Sequence, residues 1–273
     1  MRITLLGTGS PLPDPCRAGP STLITADGLT VLVDCGRGVL MRLAAAGSLP
    51  PFLDALLLTH LHSDHISDLG DVITTRWVMS PGPLPLVIYG PAGTADVVGH
   101  VMASLNPDIG YRIAHHDDLH SGPTVEVHEV AAGDAFSIGS ATVTVGATDH
   151  RPVEPTVAFR IDADGASAVL GGDGVPCVGL DELCRGADAY VQTVIREDLV
   201  RLVPSARLQD ILDYHSTVQQ AAQTAASAGV GTLVLTHYVP ALQPGKEDEW
   251  RALAAAHFSG PVVLGDDLTF VDL

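Results

Sequence analysis

The sequence predicts an α/β fold built from two similar halves, with two sheets packed against each other and helices on the outside. Short aliphatic runs that are typical of buried strands alternate with segments of helical pattern along all 273 residues. In both halves, acidic or histidine side chains come directly after an aliphatic run. Because α/β sheets place their functional groups at the carboxyl ends of strands, we expect one site at one edge of the paired sheets.

The first half contains an alternating series of strands and helices. Residues 2–6 are expected to form a strand, and the loop that follows is rich in glycine and proline, which end it. Ala26-Asp27-Gly28 separates two strand-like runs, a pattern that is typical of a hairpin. The further elements are expected as follows: strands over 21–25 and 29–33, a helix over 36–46, a strand over 56–58, a helix over 66–79, a strand over 86–89, a helix over 94–105 and a strand over 124–130.

The second half repeats this order of elements. An alanine-rich segment that ends before Gly229 predicts a helix over 216–228. Only 4% of the residues are aromatic, so the core must be aliphatic. A chain of this length can bury roughly 70–75% of its unfolded surface, and we expect a single domain over 1–273. The strands of this half are expected over 141–145, 157–161, 168–170 and 233–235.

A short segment after the strand over 56–58 contains most of the candidate ligands. It places three imidazoles and one carboxylate within six residues, at His60, His62, Asp64 and His65. Imidazole and carboxylate suit zinc or a similar divalent ion, and the lack of cysteine favours a reactive site over a closed structural one. A His-x-His pair and an Asp-His pair suffice for two adjacent ions. Surface histidines in a polar turn are the alternative, which four donors beside one strand disfavour.

Three further donors, His150, Asp173 and His237, each follow a strand of the second half. A two-metal site needs such donors, because the first segment alone cannot complete two coordination shells. The segment 115–120 has similar residue types, but no strand leads into it, so we expect a solvated loop there. His128 is expected to face solvent from its strand.

The segment Thr59–His65 matches the His-x-His-x-Asp-His signature of the metallo-β-lactamase-fold hydrolases. Residues 1–10, Arg17–Ser21 and Asp34–Gly38 resemble the ribonuclease Z and arylsulfatase-like branch, and the similarity runs from end to end. The resemblance implies a four-layer αββα sandwich with two divalent ions, expected to be Zn²⁺, with Mn²⁺ or Fe as alternatives. It implies the following ligands: His60, His62 and His150 on one ion, Asp64, His65 and His237 on the other, and Asp173 bridging both.

The implied chemistry is hydrolysis, in which a hydroxide that bridges the two ions attacks phosphorus, sulfur or a carbonyl carbon. Asp64 is also a catalytic candidate, because it could orient that water. His215-Ser216-Thr217 resembles the His-Ser-Thr motif of ribonuclease Z, which makes His215 a candidate proton donor or anion ligand at the scissile phosphate. The alternative is that His215 only precedes a helix capped by Ser216 or Thr217. For Asp34, the resemblance implies support of the metal-binding loop, with a helix cap as the alternative.

Two departures from ribonuclease Z favour a small substrate. The long substrate-binding arm of bacterial ribonuclease Z is missing between His150 and Asp173. Thr193 stands where the family has the glutamate that partners the catalytic histidine, and Glu197 is the candidate replacement. We therefore expect a hydrolase of small phosphodiesters or sulfate esters. The alternatives are a lactonase or β-lactamase, a ribonuclease Z-like tRNA 3′ endonuclease, and a metal-dependent scaffold with little catalysis.

Composition bears on the partners and the compartment. With 14 basic against 32 acidic residues, the formal charge of −18 opposes non-specific attraction to a phosphate backbone. We therefore expect a small-molecule ester as partner and disfavour a nucleic acid, with a local basic groove as the alternative. The four cysteines form no Cys-x-x-Cys pair and no apolar leader is visible, which favours the cytoplasm and no membrane contact. A homodimer is a family expectation only. Arg76 and Trp77 are candidates for substrate contact, with surface charge and core filling as the alternative.

Overall fold

Fourteen strands and nine α-helices make up the protein, and the computed structural model describes all residues from Met1 to Leu273. Short 3-10 turns cover Pro50–Phe52 and Ile211–Asp213. The strands, numbered in chain order, are β1 Arg2–Gly7, β2 Ser21–Ala26, β3 Leu29–Val33, β4 Ala55–Leu57, β5 Leu86–Gly90, β6 Val125–Glu129, β7 Ala135–Ile138, β8 Ala141–Ala147, β9 Val157–Ala163, β10 Ala166–Leu170, β11 Ala189–Ile195, β12 Thr232–Val239, β13 Val262–Val263 and β14 Phe270–Asp272. The helices are α1 Val39–Ala45, α2 Ser63–Ile66, α3 Leu69–Met79, α4 Thr94–His115, α5 Val178–Cys184, α6 Glu197–Val200, α7 Ala206–Asp210, α8 Val218–Ala228 and α9 Glu247–Ala255.

The strands form two sheets of seven, and each sheet is antiparallel on one side and parallel on the other. The first sheet has the order β14-β1-β2-β3-β4-β5-β6, and its parallel part runs from β3 to β6. The second has the order β13-β12-β11-β10-β9-β8-β7, and its parallel part runs from β10 to β13. The two halves of the chain therefore repeat one layout.

Three apolar layers hold the sheets and helices together. A layer of 22 buried residues lies between the two sheets, and Phe159 is its one buried aromatic side chain. Helices α1, α3 and α4 cover a layer of 16 residues outside the first sheet. Helices α5, α8 and α9 cover a layer of 22 outside the second. Each fully buried Leu, Ile or Val contributes roughly 1.5–3 kcal/mol, so the sheet-to-sheet contact stabilises both halves jointly. The predicted αββα sandwich is confirmed.

Several element boundaries differ from the expectation. The hairpin of β2 and β3 is confirmed, and Asp27 and Gly28 at its turn have positive φ values of 37° and 79°. Helix α4 runs on to His115 although Pro107 lies inside it and lacks a backbone donor. The loop expected over 115–120 therefore begins one residue later. None of the nine helices combines the length and the apolar character that a membrane span requires.

The helix expected over 66–79 is confirmed over Leu69–Met79 as α3, but it does not begin at Ile66, because the separate α2 ends there and the chain breaks at Ser67 and Asp68. The Asp68 carboxylate accepts hydrogen bonds from the backbone N–H groups of Gly38 and Leu40, both at 3.0 Å. Its own backbone N–H donates to the carbonyl of Cys35 at 2.9 Å. These bonds tie the break to the start of α1 and to Cys35 before it, and in a continuous helix the Asp68 N–H would bond to the carbonyl four residues earlier instead.

Candidate metal centre

The first group of candidate ligands lies at the carboxyl end of β4. An irregular stretch with a bend at Thr59 follows β4, and α2 begins at Ser63. His60 and His62 come from this irregular stretch, whereas Asp64 and His65 lie in the first turn of α2. All four are buried except His62, which is partly exposed. The change from strand to helix within this segment lets neighbouring residues of the chain approach one point from two sides.

The second half contributes three side chains from separate elements. His150 follows β8 and Asp173 follows β10, as expected. His237 was expected after a strand, but it lies inside β12 with a positive φ of 52°. Asp34, at the end of β3, has a positive φ of 58°. A non-glycine residue in this region costs of order 1–3 kcal/mol, and such strain concentrates at functional sites.

The structure brings His60, His62, His150 and Asp173 together, with one ligand atom of each within 4.8 Å of the others. His60 Nε2 lies 3.0 Å from His62 Nδ1, and His150 Nε2 lies 3.3 Å from the same Nδ1 atom. Asp173 Oδ2 lies 3.7 Å from His60 Nε2 and 3.9 Å from His150 Nε2. Three ring nitrogens and a carboxylate oxygen thus surround one small volume.

Asp64, His65 and His237 form a second set next to the first. His237 Nε2 lies 3.3 Å and His65 Nε2 lies 3.7 Å from Asp64 Oδ2. Asp173 Oδ2 lies 3.4 Å from His65 Nε2 and 3.7 Å from His237 Nε2. This one carboxylate oxygen therefore lies between the two sets, where a bridging ligand would have to be.

The unpaired polar atoms of the centre show that it suits cations. His65 Nε2 and Asp173 Oδ1 are fully buried and have no hydrogen-bond partner. Leaving such a group unpaired costs about 1–3 kcal/mol, so a native fold keeps it only where something binds. Imidazole nitrogen and carboxylate oxygen are donors that zinc and similar divalent ions accept, and the seven residues divide into two sets. The side chains present fit a pair of divalent ions.

Burial keeps the imidazoles of the first set neutral. It lowers the pKa of His150 to about 4 and that of His60 well below its ordinary value, and it also lowers the pKa of His62. Burial acts against the charged form of Asp173, but the neighbouring imidazoles, with His237 foremost, outweigh it and hold the pKa of Asp173 well below its usual range. At neutral pH these imidazoles therefore offer lone pairs and Asp173 offers negative charge.

Asp34 is a supporting residue that the sequence left undecided. Its Oδ2 accepts a hydrogen bond from His65 Nδ1 at 2.8 Å. Asp34 Oδ1 accepts from the Thr59 backbone N–H at 2.8 Å, and Oδ2 also accepts from the Thr59 hydroxyl at 2.9 Å. Because Asp34 holds Nδ1, Nε2 is the His65 nitrogen that faces the site and would bind an ion. Asp34 caps no helix, since α1 begins after Gly38, so the alternative of a helix cap is wrong.

Backbone carbonyls orient two further histidines of the centre, His150 and His215. His150 Nδ1 donates to the Tyr214 carbonyl at 2.8 Å, and His215 Nδ1 donates to the Ile211 carbonyl at 3.0 Å. His215 Nε2 consequently faces the centre and lies 3.4 Å from Asp173 Oδ2. Thr217, not His215, caps α8, in a capping box with Gln220. His215 is therefore more than a residue that precedes a helix, because its ring reaches the candidate metal centre.

Neither Thr193, which stands in the place of the family glutamate, nor Glu197, the candidate replacement, hydrogen-bonds to His215. The Thr193 hydroxyl donates to the Gly172 carbonyl at 2.9 Å. Glu197 is partly exposed and accepts a hydrogen bond from Arg201 Nε at 2.8 Å. The Ile211 carbonyl occupies the position of orienting partner instead, and no sequence signal points to a backbone acceptor four residues upstream.

The remaining candidates lie outside the centre. Arg76 is buried and its Nη1 donates to the carbonyls of Pro50 and Leu53, at 2.6 and 2.8 Å. Trp77 Nε1 donates to the Ser121 carbonyl at 3.0 Å. Both side chains therefore anchor loops, and neither contacts the ligand sets. His128 is partly exposed and stacks on the Tyr89 ring at a centroid distance of 4.8 Å, which only partly fits the expected solvent-facing position.

A family model described as a beta-lactamase superfamily domain matches residues 30–238. This range includes both candidate ligand sets and His215. The chain belongs to the beta-lactamase superfamily. The class of metal-dependent hydrolases that was expected from Thr59–His65 is thereby confirmed, together with the metallo-β-lactamase fold.

Known relatives of this superfamily member cover its whole length. A Mycobacterium avium (strain 104) protein named Ribonuclease Z is 61% identical over 270 residues, which are 98% of this chain and 96% of the relative. The crystal structure of the metallo-beta-lactamase fold protein YhfI from Bacillus subtilis matches 99% of this chain and 98% of its own, with 24% identity and a TM-score of 0.76. Human tRNase Z, short form, matches 100% and 99%, with 22% identity and a TM-score of 0.73. The two structures show the shared fold.

The expectation of a small-ester substrate without a nucleic-acid partner is contradicted by the Mycobacterium avium relative, whose name, Ribonuclease Z, denotes a nuclease. Net charge does not predict the partner of this protein, because charges act only over short distances. The value of −18 is a sum over the whole chain, whereas a charge acts over a Debye length of about 8 Å at physiological salt. Acidic residues on distant surfaces therefore do not decide what the centre binds. The lactonase and β-lactamase alternatives gain no support from the relatives.

Proposed function

We propose that this superfamily member is a ribonuclease Z, a metal-dependent endonuclease that cleaves tRNA precursors at the 3′ end. The observation that carries the proposal is the 61% identity to a protein of that name over 98% of the chain. The orientation of His215 supports it, because a histidine directed at the centre suits a phosphodiester. We also propose that residues 1–273 act as one domain, since the inter-sheet layer draws on both halves.

We assign the candidate ligands to two ions as their distances suggest. His60, His62 and His150 would hold one ion and Asp64, His65 and His237 the other. Asp173 would bridge them, because its Oδ2 lies between 3.4 and 3.9 Å from ring nitrogens of both sets. When bound, two divalent ions make a water nucleophilic near neutral pH and stabilise the charge that develops on the phosphoryl oxygens. Zn²⁺ is the proposed metal, since imidazole nitrogens supply five of the seven donors.

His215 would act at the leaving side of the phosphodiester. Its Nδ1 proton is committed to the Ile211 carbonyl, which leaves Nε2 as the reactive nitrogen. Nε2 is buried beside Asp173 and faces the centre. From this position a protonated Nε2 can bind a phosphate oxygen or deliver a proton to the departing 3′ oxygen. Asp64 would hold its ion and orient the attacking water through its carboxylate.

The test is cleavage of a transcribed tRNA precursor that carries a 3′ trailer, by protein loaded with Zn²⁺ or Mn²⁺. We expect one cut at the base of the trailer, mapped by sequencing of the product 3′ end. Asp64→Ala should abolish the cut, whereas His100→Ala, which changes an exposed histidine on α4, should not. Protein that holds two ions per chain and hydrolyses bis(p-nitrophenyl) phosphate, but leaves the precursor intact, would refute the proposal.

A further inference from the structure

Positive charge on this protein is scarce and almost entirely neutralised. Only 14 of the 273 residues are lysine or arginine. Most of them lie within 4.0 Å of a carboxylate, and Arg76 is buried and donates to three backbone carbonyls. The side chains paired with carboxylates are Arg2, Arg17, Arg42, Arg112, Arg151, Arg160, Arg196, Arg201, Lys246 and Arg251. Three exposed arginines remain without an acidic partner: Arg37, Arg185 and Arg207.

Arg37 lies beside the second ligand set. The backbone N–H of Cys35, two residues earlier, donates to the carbonyl of His65 at 2.7 Å. A Cβ atom at Gly36 would lie only 2.3 Å from the carbonyl oxygen of Asp64, so the chain touches that residue directly before Arg37. The Arg37 guanidinium has one distant acceptor, the Pro11 carbonyl at 3.5 Å. The Arg37 guanidinium therefore makes no ion pair, and its backbone directly follows the segment that packs on Asp64 and His65.

Arg37 also lines an open groove. The groove has a volume of about 510 Å³ and lies between the loop at Pro13 and the start of α1. Arg17 and Arg42 also line it. Arg17 is buried and pairs with Asp266, and Arg42 Nε pairs with Asp267 at 2.9 Å. These two cations are already neutralised, so the groove presents Arg37 as its available donor.

Arg207 belongs to the chain segment that contacts His150 and His215. It belongs to α7, one helical turn before Ile211, whose carbonyl accepts the proton of His215 Nδ1. The carbonyl of Tyr214, in the same segment, accepts the proton of His150 Nδ1. Arg207 therefore sits on the segment that orients both histidines. Asp210 shares its helix and makes no ion pair with it.

Arg185 is remote from the centre and provides a natural control. It follows α5, and the next backbone N–H, that of Gly186, donates to the carbonyl of Ala228 at 2.8 Å. Ala228 ends α8, which begins next to His215 and spans 11 residues, or about 16 Å. Arg185 thus lies near the far end of a helix whose near end borders the centre.

Resting on the proposed function, we propose that Arg37 and Arg207 bind backbone phosphates of the RNA on the two sides of the scissile bond. A guanidinium without an ionic partner can bind a phosphate through two parallel hydrogen bonds and gives up no existing ion pair. Between His150 and Asp173 the chain forms only a loop, β9 and β10. The backbone contacts of a long substrate would then come from the rest of the domain, and these two arginines are the cations without an ionic partner on segments that contact the centre.

The experiment measures kcat and KM for a tRNA precursor at several salt concentrations, with Arg37→Ala, Arg207→Ala and Arg185→Ala as matched variants. We expect Arg37→Ala and Arg207→Ala each to raise KM about tenfold with a smaller effect on kcat. Each should also reduce the slope of log(kcat/KM) against log salt by about 0.7–0.9, because one phosphate contact is lost. Arg185→Ala should match the wild type. Metal content and Tm are measured on every variant, to separate lost contacts from a damaged centre.

The outcomes separate this inference from the proposed function. If the wild type cleaves the precursor but Arg37→Ala and Arg207→Ala behave like Arg185→Ala, the inference is wrong and the function stands. If KM rises but the salt slope does not change, the arginines do not contact phosphates and the inference is again wrong. A wild type with two bound ions that does not cleave the precursor would refute the function, and the inference with it.

Discussion

Replacing Asp34 by asparagine tests how the centre is supported without removing any candidate ligand. Asp34 accepts three hydrogen bonds of 2.8–2.9 Å, two from Thr59 and one from His65 Nδ1. An asparagine has one acceptor oxygen and an NH₂ group that cannot accept. In Asp34→Asn, either Thr59 or His65 must therefore lose its partner, and a donor faces a donor. We expect His65 to shift toward the tautomer with the proton on Nε2, which blocks its lone pair.

The size of the effect follows from the bonds that are lost. A hydrogen bond to a charged group contributes about 1.5–3 kcal/mol, which corresponds to roughly 10- to 150-fold in binding. Substitution of such supporting residues typically weakens metal affinity 10- to 100-fold. We expect Asp34→Asn to lower the zinc affinity of the site assigned to Asp64, His65 and His237 by this factor. The affinity of the other zinc site should change less.

Competition with a chromophoric chelator measures both affinities. Asp68→Asn is the matched control, because Asp68 bonds only to backbone N–H groups of Gly38 and Leu40 and does not contact any candidate ligand. It should lower Tm but leave both zinc affinities unchanged. If Asp34→Asn binds both zinc ions with wild-type affinity, the reasoning that Asp34 orients His65 for metal binding is refuted.

Three further predictions concern the same centre. His215→Ala should lower kcat for the tRNA precursor about 10²- to 10⁴-fold, the usual contribution of a general acid, while the zinc content stays at the wild-type level; a matching loss of zinc would assign His215 to the ligands instead. Chelation should lower Tm, and zinc at about 100 times Kd should restore roughly 2.7 kcal/mol of stability, read from calorimetric unfolding; equal Tm values with and without zinc would contradict ligand binding to the folded state. Gly36→Ala should destabilise the fold by about 1–3 kcal/mol in urea titrations, because its Cβ would lie 2.3 Å from the Asp64 carbonyl oxygen, whereas Gly82→Ala has open space and should be near neutral.

Much of the architecture could be predicted because it depends on local pattern. Strands β2, β3 and β4 were recognisable from aliphatic runs and a turn at Asp27-Gly28, and α8 from its alanines and the glycine that follows it. Boundaries were less accurate where a distant residue decides them. At the break between α2 and α3, the Asp68 carboxylate bonds to backbone N–H groups of Gly38 and Leu40 at the start of α1. No local sequence pattern predicts such a contact.

By itself, the sequence determined the fold class, the superfamily and the seven candidate ligands, because hydrophobic period and the His-x-His-x-Asp-His spacing are properties of neighbouring residues. Only the tertiary structure decided the roles that depend on distance. It placed Asp173 between two sets of ring nitrogens, made Asp34 the partner of His65, and turned Arg76 from a substrate candidate into an anchor for Pro50 and Leu53. It also showed which arginines have no carboxylate as an ion-pair partner, and the net charge of the chain does not give this information. Each of these facts depends on atoms far apart in the chain, and packing of the two sheets brings them within a few ångströms.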